Sequence, residues 1–252
     1  MKKVWVTVLC ISLAVFTACL GFLGYQYFQN QKSDKLINEF AKKTESTTQA
    51  EKLAKNPIDF EKLQETNKDI YSWIKIKNTN INYPILTTEN HNDNNFYLRK
   101  NIYKQYDNQG VIFTQDFNYT DWSDRVTVVY GHNIWTRGTM FYQLHKFKDE
   151  AFFKKNKNII IYAPKRKLTY EIYSAFEYDD RHIMQAFDFS KDDDFITFIN
   201  TTLYPVSLTK NVRKNASFTI NDKMIVLSTC IKNKENSRFL VVGKLIKDEK
   251  TK

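Results

Sequence analysis

From Val4 to Phe28 the chain carries no charged side chain, and this run follows directly on Met1-Lys2-Lys3. As a helix it is long enough to cross the hydrocarbon core of a bilayer. Lys2 and Lys3 on the short side predict an N-terminus in the cytoplasm and the remainder outside, a single-pass topology. Two rival readings compete with an uncleaved anchor. A cleaved signal peptide needs a shorter apolar region ending in small residues. Phe16-Thr17-Ala18-Cys19 loosely resembles a lipoprotein cleavage site, but Phe16 stands where an aliphatic residue is usual. The apolar run also continues past Cys19 through Leu20, Phe22, Leu23 and Tyr25. All three readings leave the rest of the chain outside the cytoplasmic membrane.

That placement gives the cysteines meaning. Cys10 and Cys19 lie inside the apolar run, so Cys230 is the one cysteine of the exported part. It has no intramolecular partner, so disulfides do not hold this domain together. An unpaired thiol outside the cytoplasm points to an intermolecular bridge or a reactive group. The net charge of +10 would suit nucleic acid, anionic lipid or an anionic wall polymer. Lys and Arg are scattered, however, and no nucleic-acid motif is present. A solvated basic surface is the simpler reading, and no nucleic-acid partner is expected.

The 252 residues are expected to divide into an anchor at 1–28, a polar stalk at 29–56 and a folded domain at 57–252. Leu36, Ile37 and Phe40 form a weak helical stripe in the stalk, interrupted at Thr44 to Thr48. Pro57 suits the first turn of a helix, with Ile58, Phe60 and Leu63 on its apolar face. From Ile70 the period changes to two. Tyr71 to Ile76 and Ile81 to Leu86 flank Asn78-Thr79-Asn80 as a hairpin. Further strands are expected at Gly110–Gln115, Arg125–Tyr130, Asn158–Ala163, Lys167–Tyr178, Lys223–Thr229 and Arg238–Ile246. Thr139 to Lys155 reads as a helix. Another is expected at 188–204, capped by Ser190 with Asp192, Asp193 and Asp194 in its first turn. About eight short strands point to a mainly β fold, a closed antiparallel barrel with N-terminal helices and one helix in a long connection.

Cys230 ends one expected strand and Arg238 begins the next, so both face one edge of the sheet. A fixed positive charge favours the ionised, nucleophilic form of a thiol, and a guanidinium can also donate to a developing oxyanion. The bland alternative is a buried, inert Cys230 beside a solvated arginine. A thiolate enzyme also needs a proton carrier. Of four histidines, His91 sits in an Asn-rich loop, His145 on an expected helix and His182 in a polar connection. His132 follows an apolar strand and Gly131, at a strand end where the chain turns.

Tyr130-Gly131-His132-Asn133, Leu227-Ser228-Thr229-Cys230 and Arg238-Phe239-Leu240-Val241-Val242, in that order, resemble the signature segments of the sortases. Trp73 to Ile85 resembles that family's first hairpin. The N-terminal helical extension, the helix at 188–204 and the wide His-to-Cys separation are similar to class B. The resemblance spans about residues 58–247. It implies a cysteine transpeptidase of a Gram-positive bacterium, bound to the cell membrane with its catalytic domain extracellular. Such an enzyme cleaves a sorting motif in a secreted protein, keeps the N-terminal part as a thioester and passes it to an amine of peptidoglycan or its precursor, or to another amine acceptor such as a second protein. Carried over, Cys230 is the nucleophile, His132 the general acid and base, and Arg238 the oxyanion donor. The backbone N–H of Ile231 is a second donor. Tyr130, Ser228 and Thr229 line the peptide groove, and the loop from Tyr178 to Phe187 shapes specificity. No cofactor is implied, and no calcium or other metal site is expected. Two other readings predict different behaviour: a cysteine peptidase that only hydrolyses, and a non-catalytic surface binding protein with a buried Cys230.

Overall fold

The alternating segments become strands because each of their faces finds an apolar partner. A computed structural model describes residues 2–45 and 55–252. Helix α1 (Lys2–Glu45) and α2 (Phe60–Thr66) precede β1 (Ile70–Ile76), β2 (Asn82–Thr87), β3 (Ile112–Thr114) and β4 (Val126–Tyr130). Short strands β5 (Asn133–Ile134) and β6 (Thr139–Met140) lead to α3 (Glu150–Lys155), β7 (Asn158–Ala163) and the long β8 (Arg166–Asp179). Then come α4 (Ile183–Ala186), α5 (Asp192–Leu203), β9 (Lys210–Val212), β10 (Met224–Ile231) and β11 (Lys234–Lys250).

Eight of these strands close on themselves in the order β11-β10-β4-β3-β2-β1-β7-β8, with β8 returning to β11. Strand β9 adds to β8 outside the ring. The expected mainly β closed barrel is present, with two parallel seams, β2–β3 and β10–β4. The second matters most. Tyr130 pairs with Ser228 at the end of that seam, and Gly131 N–H donates to Ser228 O at 3.2 Å. Parallel neighbours end at one rim. Two residues beyond the last pair come His132 on one strand and Cys230 on the other.

Alternation along β10 shows how the barrel is held. Ile225 and Leu227 point to the interior with Ile74, Ile85, Val129, Ile159 and Val241. Met224 and Val226 point outward, under Phe195 and Phe198 of α5. Each fully buried Phe of this kind is worth roughly 1.5–3 kcal/mol. A third cluster joins Ile37 and Phe40 of α1 to Phe60 and Leu63 of α2 and to Trp73 and Leu86 of the first hairpin. The polar stretch after Phe28 is thus helical through Glu45 and docks on the barrel. Residues 46–54, which include most of the expected interruption at Thr44 to Thr48, lie outside the described residues.

Local expectations fail where caps and tight turns decide. The stretch read as one helix from Thr139 to Lys155 is β6, a 3-10 helix over Phe141–Lys148, and α3. Asp149 caps α3 by accepting from Phe152 N–H, and that cap splits the apolar spacing into two pieces. Pro57 precedes α2 instead of opening it, because Asp59 accepts from Lys62 N–H and sets the start. Ser190 does not cap α5. Its hydroxyl donates to Asp188, and Lys191 holds the cap position without a side-chain bond.

Candidate active site

The β10–β11 hairpin turns more tightly than a polar loop from Ile231 to Ser237. Cys230 pairs with Arg238, a bulge follows, and Ile231 pairs with Lys234. Asn233 takes a left-handed φ of 61°, which Asn tolerates better than most residues. Glu177 of β8 accepts Lys234 Nζ at 2.6 Å and Lys148 Nζ at 2.9 Å, tying the turn to the barrel wall. Arg238 Nη1 donates to the carbonyls of Glu235 and Ser237, both at 3.0 Å. A half-buried guanidinium is thereby fixed directly across the ladder from the thiol. Cys230 itself is exposed. The buried, inert thiol required by a non-catalytic scaffold is not what this fold provides.

His132 stands at the same rim, with Nε2 donating to Leu98 O at 2.7 Å. A carbonyl only accepts, so Nε2 carries the hydrogen and Nδ1 is the nitrogen left to exchange protons. Burial pushes the imidazole below its ordinary range. The Leu98 carbonyl and Asp107 oppose that shift, while Arg99 adds to it. Leu98 belongs to a short 3-10 turn, Phe96–Arg99, that is itself pinned. Buried Asp69 accepts from Tyr97 OH, from His91 Nε2 at 2.8 Å and from Lys104 Nζ at 2.9 Å. Burial alone would raise the Asp69 carboxyl, but these donors outweigh it and hold the group at about 2.

Two residues that sequence reasoning passed over hold the backbone of Cys230. Asn133 Nδ2 donates to the Cys230 carbonyl at 3.0 Å, and His145 Nε2 lies 3.2 Å from the same oxygen. Asn133 directly follows His132, which was a local hint. His145 gave none, because its 3-10 placement is not readable from spacing.

A cleft of about 340 Å³ opens between these groups and β8. Its lining includes His132, Cys230 and Arg238, together with Tyr130, Ser228 and Thr229. Tyr178, Arg181, His182 and Ile183 form its other wall, from the loop expected to shape specificity. Ile231 is not among the lining residues, and its side chain packs on the barrel core. Four buried polar atoms around the cleft lack a protein partner among the described residues: Tyr130 OH, Tyr178 OH, Thr229 Oγ1 and His182 Nδ1. Burial raises both tyrosines, so each hydroxyl keeps its proton and can donate to a ligand. Larger hollows, about 530 Å³ beside Lys154 and 540 Å³ beside Tyr204, carry neither a thiol nor a histidine.

Gly131 sets the approach of His132. A Cβ there would lie 2.5 Å from Ile112 Cδ1 and 2.7 Å from Phe141 Cδ2. Gly131→Ala is expected to cost about 1–3 kcal/mol of stability and to displace His132 from the rim. Denaturant melts and peptide turnover check this; wild-type values of both would refute the close-packing account.

The model of the sortase domain matches residues 74–246 of the chain. The chain belongs to the sortase family. It is 26% identical to sortase B of Staphylococcus aureus, over 97% of this chain and 98% of that protein. It is 27% identical to sortase B of Listeria monocytogenes, with 94% of each covered. The crystal structure of Clostridium perfringens sortase B superposes with a TM-score of 0.66 at 32% identity, over 75% of this chain and all of that one. A Staphylococcus aureus sortase B–substrate complex gives 0.70 at 27% identity, covering 88% and 97%. These relatives place the chain in class B, so this sortase is a cysteine transpeptidase.

Proposed function

We propose that residues 1–28 anchor this enzyme in the cell membrane with its N-terminus in the cytoplasm. The catalytic unit, residues 57–252, then works outside. The apolar run supports the anchor, since α1 is long and apolar enough to cross a bilayer and is exposed along that span. The substrate is a secreted protein bearing a sorting motif, and the acceptor is an amine of peptidoglycan or its precursor. Relatives support both classes: one solved sortase B is a complex with its substrate, and another is a sortase B complexed with triglycine.

The chemistry proceeds in balanced steps. His132 Nδ1 takes the Cys230 proton, and the thiolate attacks the scissile carbonyl. Arg238 donates hydrogen bonds to the oxyanion, with the Ile231 N–H as second donor. Collapse breaks the C–N bond, and His132 returns its proton to the departing amine. A thioester remains on Cys230. The incoming amine attacks it and gives a proton to His132, and the new amide leaves as Cys230 is released and reprotonated. Tyr130, Ser228 and Thr229 line the peptide groove. The observation that carries this reading is the parallel β4–β10 register, which ends with His132 and Cys230 at one rim while Arg238 pairs with Cys230 across the hairpin.

The test is incubation with a pool of sorting-motif peptides, with and without triglycine, followed by mass spectrometry. An acceptor-linked product supports transpeptidation. Free acid alone, at saturating acceptor, would make the enzyme a hydrolase. Arg238→Lys keeps the charge but loses the planar fork held by the Glu235 and Ser237 carbonyls. It is expected to lower kcat by roughly 10²–10³-fold with KM little changed. A change confined to KM would assign Arg238 to ground-state binding instead.

A further inference from the structure

We propose that the segment from Arg99 to Tyr106 is a foot that rests on anionic phospholipid headgroups where α1 leaves the bilayer; this rests on the anchor reading above. Helix α1 is continuous from Lys2 to Glu45, so heights along it follow from a rise of about 1.5 Å per residue. Asn30 therefore stands about 3 Å beyond Phe28, and Lys32 about 6 Å. The polar layer outside the hydrocarbon is itself about 5–7 Å deep. Both residues touch the segment. Asn101 Nδ2 donates to Asn30 Oδ1 at 3.3 Å, and Lys32 Nζ lies 5.2 Å from the Tyr103 ring centre. Farther along the helix, Ile37 and Phe40 are packed on the barrel, so the domain is held against α1.

The chemistry of the segment matches that depth. Residues 99–106 carry Arg99, Lys100 and Lys104 and no carboxylate, and α1 adds Lys32 and Lys35 against Asp34. Lys104 is occupied by Asp69. Arg99 is exposed, and neither it nor Lys100 has an ion-pair partner among the described residues. Lys100 Nζ instead lies over the Phe96 ring at 4.5 Å. Tyr106 is 48% exposed, an aromatic with a polar tip of the kind that collects at membrane interfaces. Leu98, whose carbonyl holds His132, immediately precedes this segment. At most about 10 Å of chain separates Leu98 from Asn101. The foot thus sets the height of the catalytic rim above the lipid, where a membrane-borne substrate arrives.

The full chain in nanodiscs of phosphatidylcholine alone, or mixed with phosphatidylglycerol, provides the test, read by hydrogen exchange. Amides of residues 99–106 should exchange more slowly in the anionic discs, by at least roughly fivefold for each cation engaged. The difference should vanish in Arg99→Glu/Lys100→Glu, with β10 and β11 still protected as proof of folding. Equal exchange in both discs, with α1 retained, overturns the foot and leaves the anchor standing. A double variant that keeps its anionic protection overturns the role of these two cations. Failure of the chain to enter either disc overturns the anchor and the foot together.

Discussion

Cys230→Ala is expected to abolish transfer, lowering kcat/KM for a sorting-motif peptide by at least about 10⁴-fold. No other described residue near the rim can take its place. Cys10 and Cys19 lie in α1, and the hydroxyl residues that directly precede Cys230, Ser228 and Thr229, are buried. The substitution should leave the fold intact, because Cys230 is exposed and its backbone bonds to Asn133 and His145 do not involve the side chain. Stability should change by no more than about 0.5 kcal/mol. Turnover and a thermal melt on the same preparation separate the two effects. A folded variant with measurable transfer would remove Cys230 from the chemistry.

The second large effect is at His132. His132→Ala should lower kcat by roughly 10³-fold, within the usual range for a positioned acid–base group. Its pH behaviour is more specific. Burial disfavours the imidazolium, so folded His132 titrates below its ordinary value of 6.5. Transfer of the acyl group to an amine needs neutral imidazole. That form fills the neutral range, so the acceptor step, counted per neutral amine because the acceptor's own α-amino group titrates at about 7.7–8.0, should fall only as the pH drops below 6.5. The same shift affects folding. Between the two values the unfolded chain binds more protons than the folded one, so stability rises with pH there. The contribution of His132 is complete above 6.5 and is lost as the pH falls towards the folded value. A pH–rate profile of the acceptor step, repeated on His132→Gln, checks both claims. A wild-type limb on the alkaline side of 6.5 that remains after division by the neutral-amine fraction would contradict the burial effect.

Much of this was legible in the chain because the informative residues sit at strand ends. Val126 to Tyr130 and Met224 to Leu227 are short, largely β-branched apolar runs with both faces buried, so the positions of His132, Cys230 and Arg238 at strand ends could be read directly. What could not be read was the direction of the β4–β10 seam. Hydrophobic period fixes faces, not the neighbour a strand chooses across the barrel, and Tyr130 and Ser228 are far apart in sequence. The supports of the site were hidden for a similar reason. Leu98 acts through a carbonyl, which no residue type advertises. His145 lies on a 3-10 turn, and Asp69 reaches His91, Tyr97 and Lys104 across a loop without regular period. The turn at Asn233 reads from sequence as a longer loop because Lys, Asn and Glu there look solvated, although Ile231 already pairs with Lys234 across it.

The most direct measurement is the intact mass of the enzyme caught during reaction with a sorting-motif peptide and no acceptor. The account predicts a mass gain equal to the N-terminal peptide fragment less the elements of water. The gain should map to Cys230, be released by hydroxylamine, and be absent from Cys230→Ala. An adduct that persists in the variant, or peptide cleavage by wild-type enzyme that never passes through an adduct, would contradict the thioester mechanism.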